Sequence, residues 1–191
     1  MIHLKRKILT LIKRPHIAIR KYFRVLILRE ILPLYYSENY DECWGYVSYK
    51  DKIVLDLGAD YGSTAYYFLK KKAKKVIAVE GDTKLASKLR DNYETDSRVT
   101  CVEKWIKNSK DIEELIKLYP SDLVKVDIEG AEIHITKVSP KVLLLVREWL
   151  VEAHTKEICE KLVKLFLELK FRVFAINYSM IGVYRIILAQ R

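Results

Sequence analysis

The run Ile53-Val54-Leu55-Asp56-Leu57-Gly58-Ala59-Asp60-Tyr61-Gly62-Ser63-Thr64 constrains this chain more than any other stretch. Its first five residues read as a buried parallel strand, apolar but for one acid near the end. A glycine-bearing turn follows, then the start of a helix. Strand, glycine turn and helix in that order build the nucleotide site of an α/β sheet, at the carboxyl ends of the strands. Gly58 and Gly62 let backbone approach a ligand where a Cβ would collide, and the helix start presents free N–H groups. The spacing is D-x-G-x-x-x-G rather than the G-x-G-x-x-G of a dinucleotide fold.

The acids decide between ligands. Asp56 and Asp60 beside Gly58 would repel an anionic pyrophosphate but suit the cationic sulfonium and amino group of S-adenosylmethionine. The stretch resembles motif I of the class I S-adenosylmethionine-dependent methyltransferases. Glycine turns after buried strands also occur in α/β proteins without a nucleotide, so the later strand ends carry the decision.

Residues 75–80 form a second buried strand ending in Glu80, 24 residues after Asp56, with Gly81 next. A carboxylate there accepts hydrogen bonds from both ribose hydroxyls of an adenosine; NAD enzymes use the same device, so Glu80 supports an adenosine without saying which. Residues 98–103 make the third strand, followed by Lys104-Trp105-Ile106. In the resembled class these positions flank adenine. Trp105 either stacks on that ring or packs under the sheet.

The fourth strand lies in Asp122-Leu123-Val124-Lys125-Val126-Asp127-Ile128-Glu129-Gly130-Ala131-Glu132. This run resembles the L-K-I-D-V-E-G-A-E signature of the FkbM-type methyltransferases through Lys125, Asp127, Glu129, Gly130, Ala131 and Glu132. Residues 56–62 resemble that family's D-x-G-A-N-x-G, with Asp60 where asparagine is usual. The resemblance covers roughly residues 50–190. Asp127 emerges beside the opening strand, where it can orient a methyl acceptor, take its proton or hold a divalent ion. No residue set is assigned to a metal. Gly130 suits a tight turn, and Glu129 has a simpler reading as the acid of the next helix's first turn.

Residues 149–154 read as the fifth strand and resemble the family's E-x-H. Strand alternation points Glu152 and His154 to one side. The unperturbed pKa of His154 suits base chemistry near neutral pH, against a plainer reading as a hydrogen-bonded strand-end histidine. The candidate catalytic residues are therefore Asp127, Glu152 and His154. The candidate cofactor residues are Asp56, Gly58, Ala59, Asp60, Tyr61, Gly62, Glu80, Gly81, Lys104, Trp105 and Asp127.

Helices are expected over 63–72, from the cap Asp82 through Tyr93, and over 111–119, 132–146 and 156–169. Pro140 kinks or divides the fourth of these. Strands at 171–176 and 182–188, joined through residues 177–180, close the chain. The fold class is α/β. The resemblance implies a Rossmann-like class I methyltransferase with a mostly parallel seven-stranded sheet, order 3-2-1-4-5-7-6, the last strand antiparallel. The expected division is a basic helical arm and aromatic cover segment at 1–49 and an S-adenosylmethionine-binding domain at 50–191.

The net charge of +10 is concentrated: residues 1–30 hold nine basic residues against Glu30, so +8 belongs to the arm. Helices at 2–12 and 17–32 end at Pro15 and Pro33. Arg20, Lys21, Arg24 and Arg29 rule out a membrane span, and no uninterrupted apolar segment reads as a signal peptide. The arm packs on its own domain, lies on an anionic membrane surface or holds RNA; charge alone does not separate these. Tyr35, Tyr36, Tyr40, Trp44, Tyr46 and Tyr49 follow, with core and interface packing as their simplest role. Cys43, Cys101 and Cys159 form no C-x-x-C, which fits a cytoplasmic location, with peripheral membrane attachment as a variant.

The resemblance implies in-line O-methylation of a small-molecule or sugar hydroxyl. An RNA methyltransferase is the alternative within the same chemistry, and a non-catalytic binding protein or an NAD oxidoreductase the alternatives outside it. There is no [D/N]-P-P-[Y/F] after the fourth strand and no Pro-Cys nucleophile.

Overall fold

The computed structural model describes residues 40–177 and 185–191. The two arm helices, Tyr35, Tyr36, the turn 178–180 and the start of the last expected strand lie outside the described residues.

Seven strands form one sheet in the order β3-β2-β1-β4-β5-β7-β6, as expected. They are β1 (Ile53–Leu57), β2 (Lys75–Glu80), β3 (Val99–Glu103), β4 (Leu123–Val126), β5 (Glu148–Ala153), β6 (Arg172–Asn177) and β7 (Arg185–Gln190). The first five are parallel, and β7 runs antiparallel to both β5 and β6. Sequence order reverses between β1 and β4, so the carboxyl ends of those strands open the crevice in which α/β sheets bind ligands.

Helices cover both faces, because buried parallel strands present apolar side chains alternately to each. Leu55, Leu57, Val124, Val126 and Val151 face one core, shared with α4 (Ser109–Leu118), α5 (Pro140–Leu143) and α6 (Lys156–Glu168). Val54, Leu123 and Leu150 face the other, shared with α1 (Tyr40–Trp44), α2 (Ser63–Lys70) and α3 (Thr83–Tyr93). In the aromatic segment Tyr40, Trp44 and Tyr49 are buried in this second core. They pack as the plainer reading of those aromatics has it, while Tyr46 is exposed.

The caps explain the boundaries. Asp82 accepts from the N–H groups of Lys84 and Leu85 and starts α3 as expected. Asn108 and Asp111 form a reciprocal capping box, so α4 begins two residues earlier than the sequence reading placed it. The stretch 132–146 is not one kinked helix. A 3-10 helix (Ala131–Lys137) follows Gly130, and Pro140 starts the short α5. Ser139, ahead of the proline, is extended (ψ 131°), which separates the two.

Candidate active site

The turn after β1 is tied to both neighbouring strands. The N–H groups of Gly58 and Ala59 donate to the Val79 carbonyl of β2, and Asp127 N–H donates to Leu57 at the end of β1. Gly58 has φ +82°, and a Cβ there would stand 1.7 Å from the Asp127 carbonyl oxygen. Glycine is thus required both by conformation and by contact with the end of β4.

Glu80 is anchored by the backbone. Its Oε2 accepts Asp60 N–H and its Oε1 accepts Asp82 N–H, both at 2.8 Å. A carboxylate oxygen has two acceptor sites, so both oxygens keep capacity for a ligand's hydroxyls. Gly58, Glu80, Gly81, Lys104, Trp105 and Asp127 line a cleft of about 270 Å³, with Val79, Ile106, Ile128, Glu129 and Ala131. Trp105 is 62% exposed. Its ring packs against Gly81, where an added Cβ would meet it at 2.7 Å. Lys104 lines the cleft, but its Nζ is held by Glu114 at 2.8 Å and Asp111 at 3.3 Å.

Asp56 lies outside the lining of this cleft. Its side chain has no exposure and points, with Lys125, into the core beneath α1 and α2. Thr64 Oγ1 donates to Asp56 Oδ2, and Lys125 Nζ lies 3.1 Å from Oδ1. The same ammonium donates to the Gly58 carbonyl at 2.7 Å, lies 3.6 Å from Asp127 Oδ2 and sits over the Trp44 ring at 5.2 Å. Burial opposes that charge, but Asp56 and Asp127 outweigh it and hold the Lys125 pKa above the ordinary lysine value. Asp56 thus fixes the lysine that grips the glycine turn. Ala59, Asp60, Tyr61 and Gly62 are likewise absent from the lining. Ala59 is buried, Asp60 contributes its N–H to Glu80, the Tyr61 carbonyl accepts from Asn92, and the Gly62 carbonyl accepts the Tyr93 hydroxyl.

At the ends of β4 and β5 the structure gathers Asp127, Glu152 and His154 with two further acids, Glu129 and Glu132. Glu132 is fully buried. Its Oε1 accepts the N–H groups of Ile128 at 2.8 Å and Gly130 at 3.2 Å, and lies 3.1 Å from His154 Nδ1. His154 Nε2 lies 3.3 Å from Glu129 Oε2 and 3.7 Å from Asp127 Oδ1. Glu129 and Gly130 are consecutive left-handed residues, φ +52° and +97°. They bring the chain over the histidine.

These charges overturn the expected protonation of His154. The hydrogen bond to Glu132, with Asp127 and Glu129 nearby, outweighs burial and raises its pKa to about 9. At neutral pH the ring is an imidazolium, with Nδ1–H donating to Glu132, and not a free base. Glu152 moves the other way for an acid: burial and the charge of Asp127 raise it to about 7, against the pull of His154 and Lys125. The base-like group near neutrality is therefore Glu152. Lys125 and Glu132 hold the site together but were not among the candidates. The sequence signal was present: a lysine inside an otherwise apolar strand, and a glutamate two residues past a turn glycine.

The sheet order, the helices on both faces and a cleft at the β1–β4 crevice define a Rossmann-like fold of the class I methyltransferase type. Solved structures share it. The O-methyltransferase of Bacillus cereus in complex with SAH aligns with TM-score 0.63 at 16% identity, covering 86% of this chain and 90% of that one. Aeropyrum pernix fibrillarin with natively bound S-adenosyl-L-methionine aligns with TM-score 0.59 at 12% identity, covering 75% and 68%. Precorrin-6y C5,15-methyltransferase of Geobacter metallireducens aligns with TM-score 0.58 at 19% identity, covering 74% and 81%.

The family model for FtsJ-like methyltransferases matches residues 38–181, and the chain belongs to that family. The match leaves the FkbM-type resemblance of residues 123–132 resting on its own motif. A viral relative, uncharacterized protein 158B of Sulfolobus islandicus rod-shaped virus 1, is 29% identical over 102 residues, 51% of this chain. The aligned part spans 59% of that protein's length. Among the described residues no helix is long and apolar enough to cross a membrane.

Proposed function

We propose that the protein transfers a methyl group from S-adenosylmethionine to a hydroxyl oxygen of an acceptor. The observation that carries this is the juxtaposition of an adenosine-type cleft with a carboxylate–imidazole group at the ends of β4 and β5. Asp127 belongs to both, lining the cleft and facing His154.

The residues present fit the cofactor. Glu80 offers two backbone-anchored oxygens to a ribose diol, Gly81 and Trp105 form a flat wall suited to adenine, and Asp127 supplies negative charge toward a sulfonium. When bound, the cofactor supplies an electrophilic methyl group. The chain's own part is to hold the acceptor oxygen in line with it, since near-attack positioning supplies much of the acceleration for such displacements. Glu152 receives the hydroxyl proton, and His154, braced by Glu132, orients Asp127. The likeness of residues 123–132 to the FkbM-type signature supports a hydroxyl acceptor.

Calorimetric titration with S-adenosylmethionine, S-adenosylhomocysteine and NAD tests the reading. Binding of the first two alone is expected. Glu80→Ala should weaken it by about tenfold or more, the worth of a charge-assisted hydrogen bond. Equal binding of NAD, or indifference to Glu80→Ala, would reject the cofactor assignment.

A further inference from the structure

The group beyond the cleft has the composition of a cation site. Asp127 follows β4, Glu129 occupies the left-handed turn and His154 follows β5, and one donor atom from each lies within 4.8 Å of the others. Nε2 is 3.3 Å from Glu129 Oε2 and 3.7 Å from Asp127 Oδ1. Donors held about 2.0–2.2 Å from a single ion stand roughly 3–3.6 Å apart, so small side-chain rotations bring these three to coordinating distance.

The far side of the imidazole points to the same use. Nδ1 is fixed by Glu132, a fully buried carboxylate itself held by two backbone N–H groups. A carboxylate behind the ring fixes the orientation of metal-ligating histidines, and an ion arriving at Nε2 displaces the proton held there. Charge is a separate observation. Asp127, Glu129 and Glu132 surround the His154 ring, and Lys125 is already shared between Asp56 and Asp127. Glu132 Oε2 is buried without a hydrogen-bond partner. More carboxylates than cationic side chains meet here.

We infer that Asp127, Glu129 and His154 bind a divalent cation of the manganese type, with Glu132 as the outer carboxylate that orients the histidine. Two carboxylates favour magnesium, calcium or manganese, and an imidazole favours the transition metals; manganese accepts both. Asp127 and Glu129 also line the cleft, so the ion's open positions face the place where an acceptor enters. A hydroxyl oxygen coordinated there loses its proton more readily, and Glu152 stands by to receive it. The ion site itself stands on the side chains named; its part in acceptor activation rests on the methyltransferase reading.

The test titrates chelator-stripped full-length protein with Mn²⁺, following the free ion by electron paramagnetic resonance. S-adenosylhomocysteine binding is measured in parallel. A single saturable site is expected, weakened by about tenfold or more in Glu129→Gln and in His154→Gln. The Glu129 side chain is 89% exposed, so Glu129→Gln reports on the ion rather than on folding. Circular dichroism confirms both variants folded. No saturable Mn²⁺ site in the wild type, or a site unchanged in both variants, overturns the inference. Protein that binds S-adenosylhomocysteine but not Mn²⁺ overturns the ion site and leaves the methyltransferase reading intact. Protein that binds Mn²⁺ through these residues but not S-adenosylhomocysteine upholds the site and removes its proposed role.

Discussion

At the scale of single residues, two turn glycines with similar backbone angles should respond very differently to substitution. Gly58 and Gly130 have φ +82° and +97°, and a Cβ is disfavoured there by about 1–2 kcal/mol. Beyond that the sites differ. A Cβ on Gly58 would drive into the Asp127 carbonyl at 1.7 Å, whereas nothing lies within 4 Å of one on Gly130. Gly58→Ala adds overpacking of about 1–3 kcal/mol and should lower stability by roughly 3 kcal/mol or more. Gly130→Ala should lose only the backbone part, and urea denaturation of the two variants reads the difference. A smaller loss for Gly58→Ala than for Gly130→Ala would mean that the β1 turn and the end of β4 are not packed as described. The turn at Gly58 was legible because a glycine directly after an apolar strand marks a tight turn. His154 was legible as a strand-end histidine, but not the Glu132, Asp127 and Glu129 carboxylates that other segments bring to its ring. The buried setting of Asp56 was hidden for a related reason. A carboxylate beside a glycine turn looks like a ligand contact until Lys125, 69 residues on, is seen to take it into the core.

At the scale of elements, β4 stands out as a four-residue, fully buried strand containing a lysine. Lys125 links β4 to β1 through Asp56, to the glycine turn through Gly58 and to α1 through the Trp44 ring. Removing one member of a buried pair strands the other, at about 3–5 kcal/mol. Lys125→Met should therefore destabilise by that amount, while Lys125→Met with Asp56→Asn should recover much of it, since no buried charge then lacks a partner. A double-mutant cycle in urea measures the coupling, and strictly additive losses would show that the two do not act as a pair. The strands were readable because parallel, doubly covered strands are short apolar runs. The region 131–143 was harder. Ile133, Ile135, Val142 and Leu143 permit an α-helical reading, and sequence spacing does not expose the 3-10 geometry enforced between left-handed Gly130 and the Ser139-Pro140 step.

At the scale of the whole molecule, the sheet order is the one that the resemblance to class I methyltransferases implied. Gly58 after β1, Glu80 on β2 and Asp127 after β4 converge only if β1 lies between β2 and β4, as it does. Pocket membership was less legible, because it depends on how each turn is placed: Asp60 and Tyr61 are not in the lining, while Ile106 and Ala131 line the cleft. The lining comes from the segments after β1, β2, β3 and β4, so a ligand that fills it ties together the carboxyl edge of the sheet. S-adenosylhomocysteine at 100 times its Kd should raise unfolding free energy by about 2.7 kcal/mol, whereas NAD should not. Trp105→Ala separates ligand effect from fold effect. Trp105 is 62% exposed, so unliganded stability should move by no more than about 0.5 kcal/mol. Most of the ligand-induced rise should nevertheless disappear, because the wall against Gly81 is gone. Thermal unfolding of both proteins with and without ligand reads the two quantities together. An undiminished ligand-induced rise in Trp105→Ala would place adenine elsewhere than against Gly81 and Trp105, and would leave Glu80 as the main recognition element of the cleft.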